Sequence, residues 1–202
     1  MQVQGDFFQS SNWQAITQGR LFYQTDFLPG HEADHLLDLL LHDLPWEQKA
    51  ITLFGRSVLQ PRLQSWHGDA RYRYSGLTME PHPWTPELKM LSQRCGAVCS
   101  TNFNSVLANL YRDGRDSMGW HQDNEPELGK NPVIASLSLG ESRRFLLRHL
   151  RSQTQLEYEL PHGSLLIMTG ELQHHWQHSV PKTAKPKHAR INLTFRNILT
   201  AG

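Results

Sequence analysis

The seven residues Arg190-Ile-Asn-Leu-Thr-Phe-Arg196 alternate strictly between polar and apolar side chains. A period of two belongs to extended backbone, where successive side chains point to opposite faces of a sheet. The segment reads as a strand with one face for Ile191, Leu193 and Phe195 and the other for Arg190, Asn192, Thr194 and Arg196. A salt-bridged surface strand could carry the same alternation. The wholly apolar opposite face and the histidine-aspartate pair upstream favour an interior strand, so its polar side is taken as the lining of a pocket. At about 3.3 Å per residue the two arginine Cα atoms lie roughly 20 Å apart, and each side chain can lean inward by about 6 Å. The remaining gap suits a five-carbon dicarboxylate, and guanidinium forks pair with carboxylates through two charge-assisted hydrogen bonds.

Upstream, His121 and Asp123 follow the alternating stretch Val106-Leu-Ala-Asn-Leu-Tyr111. Two residues apart in extended backbone, they point the same way. A second histidine would complete a two-His-one-carboxylate set, which covers one face of an octahedral iron and leaves the opposite face open. The pattern His-x-Asp recurs at His67-Gly-Asp69, where the central glycine reads as a turn before Arg71-Tyr72-Arg73-Tyr74, and this pair is set aside. The second histidine lies in Leu172-Gln-His-His-Trp-Gln-His-Ser-Val-Pro181, where spacing alone leaves His174, His175 and His178 open. His174 and His178 have the helical spacing of a zinc pair, but no glutamate stands beside His174 as a metalloprotease needs. Gly170 and Pro181 also leave little room for a helix. His178 is favoured, because Ser179-Val-Pro181 begins the connection toward the arginine strand.

A chain of 202 residues with 38% hydrophobic content and no long apolar run fits one soluble domain. Neither a membrane span nor a signal peptide is visible, so the expected compartment is the cytoplasm, or the nucleus if the source is eukaryotic. A net charge of +1 is no global nucleic-acid signature, and any polyanion contact must come from local patches. Cys95 and Cys99 lie four apart in a predicted helix and read as structural thiols. Residues 1–20 carry little pattern and are expected to form a loosely ordered leader, with a single domain over 21–202. A strand is expected near 21–28, an amphipathic helix over 31–44 with solvated His31, His35 and His42, and a second helix from Thr85-Pro86-Glu87 to about 102. Strands are predicted at 104–111, 132–139, 143–149, 155–160, 164–168 and 189–197. Helices first and short strands afterwards imply a mainly β fold with flanking helices (α+β), of double-sheet jelly-roll type.

Taken together, Asn109-x-Tyr111, His121-x-Asp123, His178 and Arg190-x-Asn192-x-Thr194-x-Arg196 resemble the AlkB family of Fe(II)- and 2-oxoglutarate-dependent dioxygenases, closest to its duplex-DNA-repair branch (AlkB homologue two-like). Phe54-Gly55-Arg56, Tyr74-Ser-Gly-Leu-Thr78, Pro83-Trp84 and Pro161-His-Gly-Ser-Leu-Leu166 extend the likeness over roughly residues 50 to 200. The resemblance implies a double-stranded β-helix with its core over about 104–198 and a nucleotide-recognition lid over about 50–80. It also implies Fe(II), 2-oxoglutarate and dioxygen as cofactor and co-substrates. The implied reaction removes alkyl groups from bases such as 1-methyladenine and 3-methylcytosine, releasing formaldehyde. His121, Asp123 and His178 would hold iron. Asn109, Tyr111, Asn192, Thr194 and Arg196 would line the 2-oxoglutarate pocket, with Arg190 at the distal carboxylate and Arg196 nearer the iron, close to Asp123.

A base within a helix cannot reach a buried metal, so the target nucleotide must be flipped and stacked. By the same resemblance Tyr74 and His121 would sandwich it, with Tyr72 nearby. Asn124, where many relatives carry aspartate, would read the base together with Glu125. Phe54, with Gly55 and Arg56, would fill the space of the extruded nucleotide in a duplex. Phosphate contacts are expected from Arg56, Arg62, Arg71, Arg73, Lys182, Lys185 and Lys187. The expected partner is alkylated DNA, double- or single-stranded, or RNA, with no membrane and a monomeric chain. Two alternatives stand beside this reading: a related oxygenase demethylating RNA or a protein, and a non-catalytic metal-binding jelly roll. Paired arginines and Asn-x-Tyr around the ligands give the last no rationale.

Overall fold

The computed structural model describes residues 12–53, 55–69, 72–74 and 77–199, with backbone alone at 52, 53, 72–74 and 77–79. Along the chain the elements are β1 (Trp13–Ile16), β2 (Gly19–Gln24), α1 (Gly30–Asp43), β3 (Ala50–Leu53), β4 (Arg56–Leu59), β5 (Leu63–Gly68), β6 (Tyr72–Tyr74), β7 (Leu77–Met79) and α2 (Pro86–Cys99). There follow β8 (Ser105–Tyr111), β9 (Met118–His121), β10 (Ile134–Gly140), β11 (Arg143–His149), β12 (Gln155–Leu160), β13 (Leu165–Thr169), α3 (Leu172–His175), β14 (Trp176–Val180) and β15 (Arg190–Arg196). A seven-stranded sheet in the order β1-β2-β13-β10-β15-β8-β5 faces a four-stranded sheet in the order β12-β11-β14-β9. Mainly β structure with flanking helices, arranged as a jelly roll, is what the sequence implies.

The alternation of β15 decides where core and pocket lie. Ile191, Leu193 and Phe195, each 0% exposed, join Leu36 and Leu40 of α1 and Leu88 and Leu91 of α2 in one apolar layer outside the large sheet. Each such side chain contributes about 1.5–3 kcal/mol on burial. The other face of β15 looks toward the small sheet. Between the sheets a second apolar cluster of Leu107, Phe145, Leu147, Leu166, Trp176 and Val180 seals the flanks of the pocket. Ser136-x-Ser138 on β10 pairs with Thr194 and Asn192 of β15, and Asn109 and Tyr111 of β8 pair with Asn192 and Arg190. Three neighbouring strands thus present polar side chains to one interior volume.

Four sequence expectations need correction. The supposed leader contains β1 and the start of β2, which extend the large sheet: Trp13 packs edge-on against Phe22 at 5.4 Å and Arg20 lies 5.0 Å over the Trp13 ring. Residues 1–11 lie outside the described ones. Within 50–80, only β3–β4 and β6–β7 are separate hairpins, whereas β5 belongs to the large sheet through its pairing with β8. That strand escapes pattern reading because its polar residues are buried and satisfied locally, with Ser65 Oγ 2.9 Å from His67 Nε2 and His67 Nδ1 2.8 Å from the Pro83 carbonyl. His67-Gly-Asp69 is therefore a strand end and not a turn. Gly68 is needed because a Cβ there would lie 2.5 Å from the Asn104 carbonyl oxygen. Finally, 172–175 forms a helical turn despite the little room that Gly170 and Pro181 leave, and His174 contacts the Lys130 carbonyl.

The helix boundaries follow the sequence signals. Thr85 caps α2 by accepting the Leu88 N–H on Oγ1 at 3.2 Å, ahead of Pro86 in the first turn and Glu87 beside it. Thr85→Ala is expected to lower unfolding free energy by about 1 kcal/mol in urea titration and to leave metal affinity unchanged, since the cap lies outside the pocket.

Candidate active site

Strands β9 and β14 pair antiparallel with His121 directly opposite His178, which brings the ring centroids to 4.1 Å. Asp123 lies two residues past the end of β9, and its carboxylate closes the group. His121 Nε2 is 3.9 Å from Asp123 Oδ1, and His178 Nε2 is 4.0 Å from Oδ2. One donor atom from each of the three residues lies within 4.8 Å of the others, the one such convergence among the described residues. Donors to a cation bonded at about 2.0–2.2 Å are at most about 4.4 Å apart and about 3 Å apart on one face, so both separations from Asp123 fall inside the outer limit and would close by about 1 Å around an ion. His121 Nδ1 lies 2.9 Å from the Gly119 carbonyl, a contact that puts the proton on Nδ1 and leaves Nε2 free to coordinate.

Electrostatics favour the deprotonated donors that a metal needs. Burial pushes the Asp123 carboxyl up, but the Arg196 guanidinium, with Nη2 3.0 Å from Oδ1, and the two imidazoles outweigh it and hold it at about 2. Burial pulls His178 down to about 3 and lowers His121 as well. The set is therefore one carboxylate and two neutral imidazoles at pH 7.

The far end of the same cavity is built around Arg190. It is 1% exposed, donates to Ser138 Oγ at 2.9 Å, and has no hydrogen-bond partner for Nε or Nη1 among the described residues. Burial lowers it to about 10, while Tyr111, whose ring lies 5.1 Å away, supports the charge, so the guanidinium stays cationic at neutral pH. A buried cation with two nitrogens unsatisfied is costly, and a ligand carboxylate on either edge would take up one of them together with Nη2. Arg143 also lies over the Tyr111 ring at 5.5 Å and spends its own donors on the carbonyls of Asp113, Asp116 and Pro181. Between the two ends, Asn192 Nδ2 donates to Ser136 Oγ at 2.7 Å and Thr194 Oγ1 to Asn192 Oδ1 at 2.9 Å. Asn109 Oδ1 accepts from Arg62 Nε at 2.7 Å and Gln64 Nε2 at 3.3 Å.

The structure thus brings together every expected metal and pocket residue: His121, Asp123, His178, Asn109, Tyr111, Arg190, Asn192, Thr194 and Arg196 all line one cavity. Asn124 is exposed beside it and Glu125 partly buried. Gly55, at φ +76°, and Arg56 stand at the exposed tip of the β3–β4 hairpin. Phe54 and Arg71 lie outside the described residues, and Tyr72, Arg73 and Tyr74 are described by backbone alone, in β6. Arg62 is corrected from phosphate contact to pocket wall, being 2% exposed and bonded to Asn109. Lys187 is committed to Glu141 at 2.8 Å, while Lys182 and Lys185 are exposed. Cys95 and Cys99 are free thiols whose burial raises both pKa values, in keeping with a structural role. Sequence reasoning missed Ser136, Ser138 and Gln173. The alternation Ile134-Ala-Ser-Leu-Ser-Leu139 was the available signal for the two serines.

A solved structure described as "The structure of OsALKBH1" superposes with a TM-score of 0.66 at 18% identity, covering 91% of this chain and all of that one, a likeness of fold. The family model described as "2OG-Fe(II) oxygenase superfamily" matches residues 20–196. The chain belongs to that superfamily. Within it, human "Alpha-ketoglutarate-dependent dioxygenase alkB homolog 3" is 42% identical over 182 residues, 85% of this chain and 64% of that protein. "DNA oxidative demethylase ALKBH2" is 39% identical in human and mouse, covering 83% of this chain and 69% and 76% of those proteins. The AlkB resemblance therefore holds, with alkB homolog 3 and ALKBH2 both represented. The chain spans just under two thirds of the length of alkB homolog 3. No described helix of this superfamily member is long and apolar enough to cross a membrane.

The Asp123–Arg196 pair is buried on both sides, at 2% and 4% side-chain exposure. Arg196→Met leaves the carboxylate without its guanidinium and is expected to lower the unfolding free energy of the metal-free protein by about 3–5 kcal/mol in urea at pH 7.

Proposed function

We propose that this chain is an Fe(II)- and 2-oxoglutarate-dependent dioxygenase that removes alkyl groups from N-alkylated bases in DNA, among them 1-methyladenine and 3-methylcytosine, with release of formaldehyde. The observation that carries the reading is the pairing, in one cavity, of the His121, Asp123 and His178 convergence with the buried, partly unsatisfied guanidinium of Arg190. Membership of the superfamily supports the cofactor pair, and the names of the relatives support nucleic acid as the substrate class.

In this reading His121, Asp123 and His178 hold the iron and Arg190 takes the distal carboxylate of 2-oxoglutarate, steadied by Ser138 and Tyr111. Iron and 2-oxoglutarate, when bound, supply the activation of dioxygen that oxidises the alkyl carbon. The protein's part is placement. Arg196 keeps Asp123 ionised, Gly119 fixes the tautomer of His121, and the apolar wall of Leu107, Phe145 and Val180 limits water at the reacting centre. Asn124 and Glu125, which follow Asp123 directly in the chain, are the residues we assign to the base. The β3–β4 hairpin, with Gly55, Arg56 and the adjoining Phe54, is the segment we assign to the duplex.

The deciding measurement is formaldehyde release from methylated DNA, RNA and peptide panels, single- and double-stranded, with iron and 2-oxoglutarate supplied. Release from DNA that requires both additions is expected; release confined to RNA or peptide would reassign the substrate, and none from any panel would leave a non-catalytic binder. Arg190→Lys keeps the charge but loses the fork, so the KM for 2-oxoglutarate should rise more than tenfold, about 1.4 kcal/mol or greater, and an unchanged value would remove Arg190 from the pocket role.

A further inference from the structure

We propose that Gln173 is a positioning residue for Asp123, tying the carboxylate segment to the segment that carries His178; the inference rests on the metal-centre reading above. Gln173 is 0% exposed. Its Oε1 accepts the Asp123 N–H at 3.0 Å, and its Nε2 points to Met168 Sδ at 3.6 Å. A thioether is a weak acceptor, so the buried carboxamide depends on the bond to Asp123 to offset its desolvation. Only an oxygen can receive that N–H, which settles the orientation of the amide. The main-chain carbonyl of Gln173 accepts Gln122 Nε2 at 2.7 Å, so two consecutive residues of the ligand loop are anchored to α3.

The placement matters because β9 ends at His121 and its pairing with β14 gives Asp123 no ladder hydrogen bond. Without Gln173 the Asp123 N–H would be a buried donor with no other hydrogen bond among the described residues, and Arg196 alone would hold the carboxylate while the main chain that aims it at the imidazoles was untied. The helical turn α3 runs directly into β14 and His178. One side chain therefore links two ligand-bearing segments that are separated by fifty residues of chain. For packing alone, leucine or methionine would fill the volume without burying an amide.

The test is Co(II) binding by the full chain, followed by calorimetry and by the visible absorption of the bound ion, beside the melting temperature of the metal-free protein. Gln173→Met removes the acceptor at similar volume, and Gln173→Asn withdraws it by one methylene. Both are expected to bind Co(II) about 10–100-fold more weakly and to shift its bands while the melting temperature changes little. Gln173→Glu keeps an oxygen at the Asp123 N–H and is expected to bind more tightly than either. Wild-type affinity and spectrum in whichever of the first two folds would overturn the inference. So would a loss of affinity that tracks melting temperature and is shared by Gln173→Glu. A wild type that binds no Co(II) would defeat the metal-centre reading as well, whereas wild-type binding by the variants defeats this inference alone.

Discussion

The buried carboxylate of Asp123 is the point on which the rest of the pocket depends. It is reached from three directions, by Arg196 on β15, His121 at the end of β9 and His178 on β14, while Gln173 on α3 holds the main-chain N–H of the same residue. A lone carboxylate at this depth would take up a proton, because burial disfavours its charged form. Arg196 reverses that outcome and keeps the group anionic. The same depth acts in the opposite sense on the imidazoles, which it keeps neutral. One environment thus yields both kinds of donor that a divalent cation requires, without a separate device for each.

Strand β15 joins this electrostatic arrangement to the stability of the domain. Its apolar side chains are clamped between the large sheet and the two long helices, so the polar ones opposite them have little freedom to shift. Arg190 and Arg196 sit at the two ends of one rigid strand, one beside Tyr111 and the other beside Asp123. The distance between the proposed carboxylate and metal ends of the cavity is set by strand geometry rather than by a loop. A molecule that must chelate at one end and ion-pair at the other is measured against a fixed ruler.

The arginines of this chain divide by what surrounds them. Arg56, at a hairpin tip, is exposed and free to meet phosphate. Arg62, six residues later, is sealed into the wall and bonded to Asn109. Arg143 is buried against three carbonyls and stacks on Tyr111. Charge alone says nothing about which of these roles a given arginine takes, since guanidinium serves carboxylate, carbonyl, aromatic face and phosphate alike.

Period-two alternation in 190–196, the cap at Thr85-Pro86 and the His-x-Asp spacing are local properties, and each survived into the structure because strand pleat, helix start and side-chain direction are themselves local. The convergence of the proposed ligand and co-substrate residues on one cavity was legible for that reason, and the motif resemblance to a family reinforced it. Other features were legible only in three dimensions. The strand status of 63–68, the interior position of Arg62 and the hold of Gln173 on Asp123 all depend on partners more than 35 residues away. A polar residue reads as exposed until the group that satisfies it is known, and that group is supplied by tertiary packing. The sequence by itself determined which side chains could form a metal and carboxylate site; only the tertiary structure decided which polar groups are buried to hold it in place.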